Sequence, residues 1–181
     1  YLMHHISGKK RRFEYRLDTP DRACQAGIYR VNIGALFGLS DWRFEAIALV
    51  DHLQYLYKTY WKTQFSVSFP RITSIFDTTK DLQPVSDRAL VQLICAFRCL
   101  FPDLGITLST RESAQLRDGL LQLGITDMSA ESMTSPGAYT GIDAVEQFSI
   151  TDQRSLSEIQ LEFDRQGLDA VVKDWDLVFN T

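Results

Sequence analysis

The chain has few cysteines, no long apolar run and no large excess of charge of either sign. Its 3 cysteines are an odd and sparse set, which favours the reducing cytoplasm over a disulfide-stabilised extracellular fold. No run approaches the roughly 18 apolar residues of a membrane span, and no apolar segment follows the basic start as a signal peptide requires. A net charge of -4 and a pI of about 5.3 argue against binding nucleic acid or an anionic membrane through the overall field.

The overall composition is that of an ordinary globular protein. Of the 181 residues, 45% are apolar and 23% are charged, which is enough for one sizeable core. The chain starts at Tyr1 without an initiator Met, and residues 1–18 form a polar, basic segment without periodicity. We predict that this segment is a loop between elements, and its form is typical of a piece of a longer protein.

Predicted strands and helices alternate along most of the chain. This alternation indicates a parallel sheet with right-handed crossovers. A small-residue loop then leads to a predicted strand EQFSI, a helix opened by a capping box from Ser155 to Glu158, and a final apolar run AVVKDWDLVF. The four alternating strands are predicted at 28–33, 65–69, 106–109 and 125–128, and the helices at 20–26, 42–61, 87–101 and 113–123.

Polar side chains follow three of the predicted strands. Arg71, Arg111 and Ser129 each come just after an apolar or alternating run. In units of strand, helix and parallel strand, this end of the sheet faces the ligand crevice. Arg111 can hold a carboxylate in a bidentate contact or take part in a surface ion pair. The acidic candidates for such a pair are Glu112, Asp118 and Asp127.

Other patterns suggest a ligand but have simpler explanations. Gly34 and Gly38 in GALFGL allow close approach of a ligand, yet they lack the third glycine of a dinucleotide fingerprint, and a tight turn explains them. Cys95 and Cys99 share one helix face but have no further metal ligands nearby, so we predict that they are buried structural cysteines. The histidines His4, His5 and His52 and the basic run 9–12 are best explained as core or solvated residues.

Several blocks of the sequence together resemble one family. The blocks are YRLDTPDRACQAGI, IGALFGLSDWR, SFPRI, VSDRALVQLICAFR, LSTRESAQLRDGLLQLGIT and KDWD. They are similar to the carboxyl-terminal half of the 2-iminoacetate synthases, which are the tyrosine lyases of thiamine thiazole biosynthesis. These enzymes belong to the aromatic-amino-acid lyase branch of the radical S-adenosylmethionine (SAM) enzymes. The resemblance covers nearly the whole chain in order.

The resemblance implies a fold and an activity. The expected fold is α/β: half of a radical SAM-type β/α barrel, with parallel strands five to eight in residues 19–140 and a strand, helix and strand extension in residues 141–181. The expected reaction of the whole enzyme is cleavage of L-tyrosine between Cα and Cβ to give 2-iminoacetate and p-cresol. The 181 residues alone are expected to be inactive, because they lack the cluster motif.

The cofactors implied by the resemblance are SAM and a 4Fe-4S cluster held by a CxxxCxxC motif. Cys95 and Cys99 have the first spacing of that motif, but no third cysteine follows. The cluster ligands are therefore expected upstream of Tyr1, and no metal is expected in these residues. SAM is contacted in this family partly from the loop after strand five, which makes Gly34, Leu36 and Phe37 its expected neighbours.

The resemblance also implies roles at the substrate site. The arginine of LSTRE binds the substrate carboxylate in related lyases, and a serine after the next strand contacts the amino group. These roles fall on Arg111 and Ser129, and Arg71 is expected to line the site. The related motif around the serine usually reads SAGS, whereas this chain has SAES, with Glu131 in the place of a glycine.

The expected partners are L-tyrosine and, by family, thiazole synthase, with no nucleic acid and no membrane. A half-barrel exposes two strand edges, so we expect the 181 residues to cover them, either by self-association or by folding the amino-terminal segment or tail across them. One alternative is the hydrogenase-maturing tyrosine lyase of the same branch, which carries a further carboxyl-terminal domain with a second cysteine motif. Another is a non-enzymatic α/β binding module.

Overall fold

The protein contains a four-stranded parallel sheet with helices between the strands. The computed structural model describes residues 7–8, 11–72, 82–134 and 150–172. The strands are β1 (Arg30–Gly34), β2 (Gln64–Ser68), β3 (Gly105–Leu108) and β4 (Asp127–Met128). The helices are α1 (Phe13–Leu17), α2 (Thr19–Gln25), α3 (Trp42–Thr59), α4 (Asp87–Leu100), α5 (Ala114–Leu120, continued by a 3-10 turn over Leu121–Leu123) and α6 (Leu156–Arg165).

Spatial order in the sheet follows chain order. The strands pair as β1-β2-β3-β4, and every pair is parallel. Arg30 lies opposite Gln64, and Thr107 lies opposite Asp127. The predicted parallel α/β arrangement is therefore confirmed.

One face of the sheet is apolar and is covered by helices. Successive strand residues point to opposite faces, and every second residue of β1, β2 and β3 is buried on this face. Fully burying one large apolar side chain contributes about 1.5–3 kcal/mol, which makes this face the main source of stability. The sheet residues on this face are Val31, Ile33, Phe65, Val67, Ile106 and Leu108, and the helix residues in the same core include Leu49, Leu53, Leu56, Leu90, Leu93, Ile94 and Phe97.

The opposite face of the sheet is polar and concave. Asn32 in β1 donates through Nδ2 to Ser66 Oγ in β2 (2.8 Å) and to Thr107 Oγ1 in β3 (3.2 Å). Arg30 in β1 lies 3.7 Å from Asp127 in β4. Neighbouring strands are about 4.8 Å apart, so the first and third strands of a flat sheet would be about 10 Å apart, which is too far for the short side chains of Asn32 and Thr107 to form a hydrogen bond. Side chains that meet across this span indicate a sheet that curves around its polar face.

The helix starts follow the capping residues in the sequence. Asp41, Ser86, Ser113 and Ser155 each accept a hydrogen bond from a backbone N–H in the first turn of the following helix. Such caps satisfy donors that a helix leaves unpaired. The predicted capping box is confirmed, because Glu158 also accepts from the backbone N–H of Ser155 (2.8 Å).

Two expectations about local structure were wrong. Cys95 and Cys99 are exposed, because α4 turns a different set of side chains, including Leu93 and Phe97, toward the core. The segment 1–18, predicted as a loop, contains the helix α1, and Asp18 joins α1 directly to α2.

Parts of the carboxyl-terminal prediction lie outside the described residues. The strand EQFSI and the run AVVKDWDLVF fall mostly in 135–149 and 173–181. The boundaries 1–18, 19–140 and 141–181 therefore remain predictions. Among the helices that are described, none has the length and apolar character needed to cross a membrane.

Gly34 is required by close approach to β2, which a substitution can test. A Cβ at Gly34 would lie 2.5 Å from the backbone oxygen of Ser68. We expect Gly34→Ala to lower the free energy of unfolding by about 1–3 kcal/mol, because this backbone cannot move aside freely. The matched control is Gly119→Ala in α5, where nothing lies within 4 Å of the added Cβ, and alanine should stabilise the helix by about 0.5–1 kcal/mol. Equal effects of the two changes in urea unfolding would contradict this account.

Candidate functional site

The carboxyl-terminal edge of the sheet brings the predicted site residues together. β1 leads into Leu36 and Phe37, and β2 leads into Arg71. The backbone N–H of Phe37 donates to Pro70 O (2.8 Å), and Phe37 pairs with Arg71 in a parallel bridge. β3 leads to Arg111 and β4 to Ser129, whose N–H donates to Leu108 O (3.0 Å). The strand ends therefore form one continuous edge.

A cavity of about 240 Å³ lies beside β2 and β3 at this edge. Its lining includes apolar side chains from α4 and the sheet together with Arg111. The mixture of an apolar wall with a few polar groups is typical of small-molecule sites. The polar members of the lining are Ser68, Thr107, Ser109, Arg111 and Glu112.

Arg111 is a half-buried cation in the loop after β3. Burial lowers the pKa of Arg111, and the charge of Glu112 offsets this only in part. The three carboxylates considered as its partners make other ion pairs: Glu112 with Arg71, Asp118 with Arg154 and Asp127 with Arg30. The charge of Glu112 therefore acts on both Arg71 and Arg111.

Arg71 forms a buried ion pair with Glu112 and a second ion pair with the exposed Asp87 at the end of β2. It donates through Nε to Glu112 Oε1 (2.9 Å), through Nη2 to Glu112 Oε2, and through Nη1 to Asp87 Oδ1 (2.9 Å) and Val85 O (2.8 Å). Burial lowers the pKa of Arg71, but the hydrogen bonds and charges of its two acidic partners outweigh this, so the pKa is raised. These contacts give Arg71 a structural role, and a substrate contact by Arg71 remains a prediction.

The three predicted SAM neighbours have different surroundings. Leu36 is 40% exposed at the mouth of β1 and is available to a ligand. Phe37 has no exposed surface, and its ring packs edge-on against Phe69 at 5.8 Å, so its side chain belongs to the core. Gly34 is explained by the close approach of Ser68. Contacts of Gly34, Leu36 or the Phe37 backbone with SAM remain predictions.

The loop after β4 is shaped by the residue that departs from the family pattern. Glu131 has φ 48°, a left-handed conformation that glycine adopts readily. Its side chain Oε1 accepts a hydrogen bond from the backbone N–H of Leu156 (2.9 Å), the first residue of α6. Glu131 therefore adopts a conformation that glycine adopts readily, and its side chain also ties this loop to α6.

A second buried network joins this loop to the loop after β3. Arg117 in α5 is fully buried and donates to the backbone oxygen of Ser129 and to Asp152 Oδ2. The backbone N–H of Asp152 donates to Thr110 O (3.1 Å). Burial raises the pKa of Asp152, but hydrogen bonds from Arg154 and the charge of Arg117 outweigh this and lower it to about 2.

Two groups of polar residues beside the candidate site could not be identified from the sequence. The polar face around Asn32 carried a signal, because small polar residues alternate with apolar ones in FSVSF and ITLST. Its hydrogen bonds across three strands depend on register, which the pattern does not specify. Arg117 and Asp152 carried no local signal, because they are 35 positions apart.

The described residues show no metal centre. Nowhere in this part of the chain do three His, Cys, Asp or Glu side chains come together in a way that would hold a metal ion. The residues described at the site are suited to binding an amphoteric organic ligand through a cation, hydroxyls and backbone groups. The class defined so far is a parallel α/β protein with a cavity at the carboxyl ends of β2 and β3.

Comparison with known proteins identifies the family. The chain belongs to the Biotin and Thiamin Synthesis associated domain family, which matches residues 68–169. It is 44% identical over 178 residues to 2-iminoacetate synthase of Escherichia coli (strain K12) and 43% identical to that of Salmonella typhimurium (strain LT2). Each alignment covers 97% of this chain and 47% of the relative. The chain therefore spans about half the length of these curated relatives, and the resemblance to 2-iminoacetate synthase is confirmed.

Solved structures with the same fold come from FeFe-hydrogenase maturases. A crystal structure of HydG superposes with a TM-score of 0.80 at 33% identity and covers 90% of this chain and 36% of HydG. HydG from Carboxydothermus hydrogenoformans gives a TM-score of 0.78 at 37% identity, covering 90% of this chain and 38% of that one. The α/β fold of the chain is thus similar to that of radical SAM enzymes.

The Asp152 network predicts a specific response to pH. A carboxylate whose pKa is lowered from 3.8 to about 2 contributes about 2 kcal/mol of stability above pH 4, and this is lost as pH falls from about 4 to about 2. We expect Asp152→Asn to destabilise the protein at pH 7 and the difference from wild type to narrow across that window. Thermal unfolding measured from pH 7 to pH 2 checks this.

The control for this measurement is Asp164→Asn, which changes an exposed carboxylate on α6. This substitution should have little effect on the thermal stability at any pH. If the difference in stability between Asp152→Asn and wild type stayed constant between pH 5 and pH 2, the fold would not be stabilising the ionised form of Asp152.

Proposed function

We propose that this chain is the carboxyl-terminal half of a radical SAM lyase that cleaves L-tyrosine between Cα and Cβ, giving 2-iminoacetate and p-cresol for thiamine thiazole biosynthesis. The observation that carries the proposal is the half-buried Arg111 at a cavity on the carboxyl-terminal edge of the sheet. It stands in a chain whose curated relatives, at 43–44% identity, are 2-iminoacetate synthases.

The shape of the sheet supports the half-barrel part of the proposal. A doubly wound sheet reverses its strand order and carries helices on both faces, whereas a barrel adds strands in sequence and keeps its helices outside. Here the order is sequential, α3 and α4 cover one face, and the other face is concave. β1 and β4 are the outer strands of the described sheet, and in the whole enzyme the first half of the barrel would pair with both.

The substrate contacts follow from the charges of a zwitterionic amino acid. Tyrosine presents a carboxylate and an ammonium group on the same carbon, so its recognition needs a cation and hydrogen-bond acceptors close together. Arg111 supplies the cation and Ser129 contacts the ammonium group. The protein's part is to orient the amino acid and exclude water.

The cofactors belong to the whole enzyme. SAM with a reduced 4Fe-4S cluster supplies the radical chemistry when bound. The loop from Gly34 to Phe37 would contact SAM through Leu36 and backbone groups, and the cluster ligands would lie in the first half. The 181 residues alone would then be inactive, and the sparse cysteines support a cytoplasmic location.

The likeness to HydG supports a second candidate, the hydrogenase-maturing tyrosine lyase. That enzyme would share the tyrosine cleavage and release carbon monoxide and cyanide. The higher identity to 2-iminoacetate synthase favours the thiazole role, in which thiazole synthase would take up the product. On its own, the chain would self-associate through the open edges of β1 and β4.

The direct test of the function is an anaerobic assay of the full-length enzyme with tyrosine, SAM and a reductant. We expect p-cresol and 2-iminoacetate, measured by chromatography after derivatisation. Carbon monoxide and cyanide among the products would assign the chain to the second candidate. Absence of p-cresol from an enzyme whose cluster is shown to be reduced would reject both.

Arg111 and Ser129 can be tested separately with two inhibitors. Tyramine lacks the carboxylate of tyrosine, and the desamino analogue lacks the amino group. We expect Arg111→Ala to weaken binding of the desamino analogue by about 10²-fold and to leave binding of tyramine nearly unchanged. The reason is that a hydrogen bond to a charged group contributes about 1.5–3 kcal/mol. Ser129→Ala should weaken binding of tyramine by a smaller factor and leave binding of the desamino analogue nearly unchanged.

Each variant serves as the control for the other, since both sit at the same edge of the sheet. Competitive inhibition constants for the two analogues provide the measurement. If Arg111→Ala weakened both analogues equally, the carboxylate assignment would be wrong. If Ser129→Ala left tyramine binding unchanged, the amino-group assignment would be wrong.

A further inference from the structure

Arg117 is an unusual residue for the interior of this protein. It lies on α5 with a relative exposure of 0% and is the largest fully buried side chain among the described residues. Arginine is almost never fully buried without partners, because its charge is costly to remove from water. Its Nε is buried without a hydrogen-bond partner in this part of the chain. Stability alone is therefore a poor explanation for an arginine at this position.

The partners of Arg117 lie in both loops of the candidate site. Nη2 donates to the backbone oxygen of Ser129, in the loop after β4. Nη1 donates to Asp152 Oδ2, and the backbone N–H groups of Thr151 and Asp152 donate to Thr110 O at 2.9 and 3.1 Å. Thr110 is 1% exposed and directly precedes Arg111. A short chain of hydrogen bonds thus joins the backbone at Ser129 to the backbone beside Arg111.

Asp152 has a second cationic partner that does not reach either loop. Arg154 donates to Asp152 through Nε (3.0 Å) and Nη2 (2.8 Å), and it also binds Asp118 of α5 (2.8 and 3.1 Å). Asp152 would therefore remain paired if Arg117 were replaced. Only the contact to Ser129 and the link between the two loops would be lost.

We propose that Arg117 is a positioning residue that holds the loops after β3 and β4 at the separation required to bind the carboxylate and the amino group of one α-amino acid. The proposal rests on the proposed function and adds a physical reason for preferring a ligand that carries both groups. A ligand with both groups gains from binding both loops at once only if their separation is fixed. A ligand with one group does not depend on that separation.

The experiment uses the full-length enzyme and the variant Arg117→Met, which keeps a long side chain and leaves Asp152 paired with Arg154. We expect the dissociation constant of tyrosine to rise at least about tenfold, while those of tyramine and the desamino analogue change less than about threefold. Arg117→Lys retains the positive charge but lacks the planar guanidinium group with its several donors. It should therefore lose less tyrosine affinity than Arg117→Met.

Leu120→Ala is the control for a purely structural effect. Leu120 lies on the same helix, is 1% exposed and belongs to the main apolar core, so its truncation destabilises the fold. It should lower the melting temperature and leave the ratio of tyrosine to tyramine affinity unchanged. Proportional losses for all three ligands in Arg117→Met, or unchanged tyrosine binding, would overturn the proposal.

Hydrogen exchange separates this proposal from the proposed function. In Arg117→Met the amides of residues 107–112 and 127–131 should exchange faster relative to those of β2, whereas Leu120→Ala should change all segments alike. If wild type neither binds nor cleaves tyrosine, the proposed function fails, and paired acceleration of the two loops still supports positioning by Arg117. Acceleration of one loop alone, or of neither, would refute it.

Discussion

The alternation of apolar and small polar residues along the strands is the constraint on which the rest of the structure depends. It places Val31, Phe65 and Ile106 under the helices and Asn32, Ser66 and Thr107 on the opposite face. The first set supplies the buried apolar area. The second set is small enough for side chains of non-adjacent strands to meet, which requires the sheet to curve. One pattern thus determines both where the core lies and which face of the sheet is polar.

The site is built on buried charge, which needs compensation. Arg71 and Glu112 connect the ends of β2 and β3, and Arg117 and Asp152 connect the loops after β3 and β4. Removing one member of such a pair costs more than the pair contributes, because the remaining charge stays buried. The strand-end loops are therefore held by interactions that resist small displacements, and a binding site gains from such rigidity.

Much of the fold could be predicted from the sequence, because strands, helices and caps depend on local patterns. The position of Arg111 followed from its place after a predicted strand. The burial of Arg117 could not be predicted, since LRDGL reads equally well as an exposed helix and Asp152 is far along the chain. The exposure of Cys95 and Cys99 also depends on which face of α4 meets the sheet. The helical pattern of apolar residues does not define where the buried face of α4 ends, so it does not decide whether the two cysteines are buried.

Sequential strand order also affects how the chain folds. Every pair of neighbouring strands is consecutive in the chain, as with Arg30 opposite Gln64 and Ser66 opposite Gly105. In the described residues, the connections between paired strands contain α3, α4 and α5 in turn, and such local pairings keep the entropic cost of each step low. Assembly can therefore begin at any strand pair and grow in either direction. At each stage it leaves an open edge that acts as a template for the next strand.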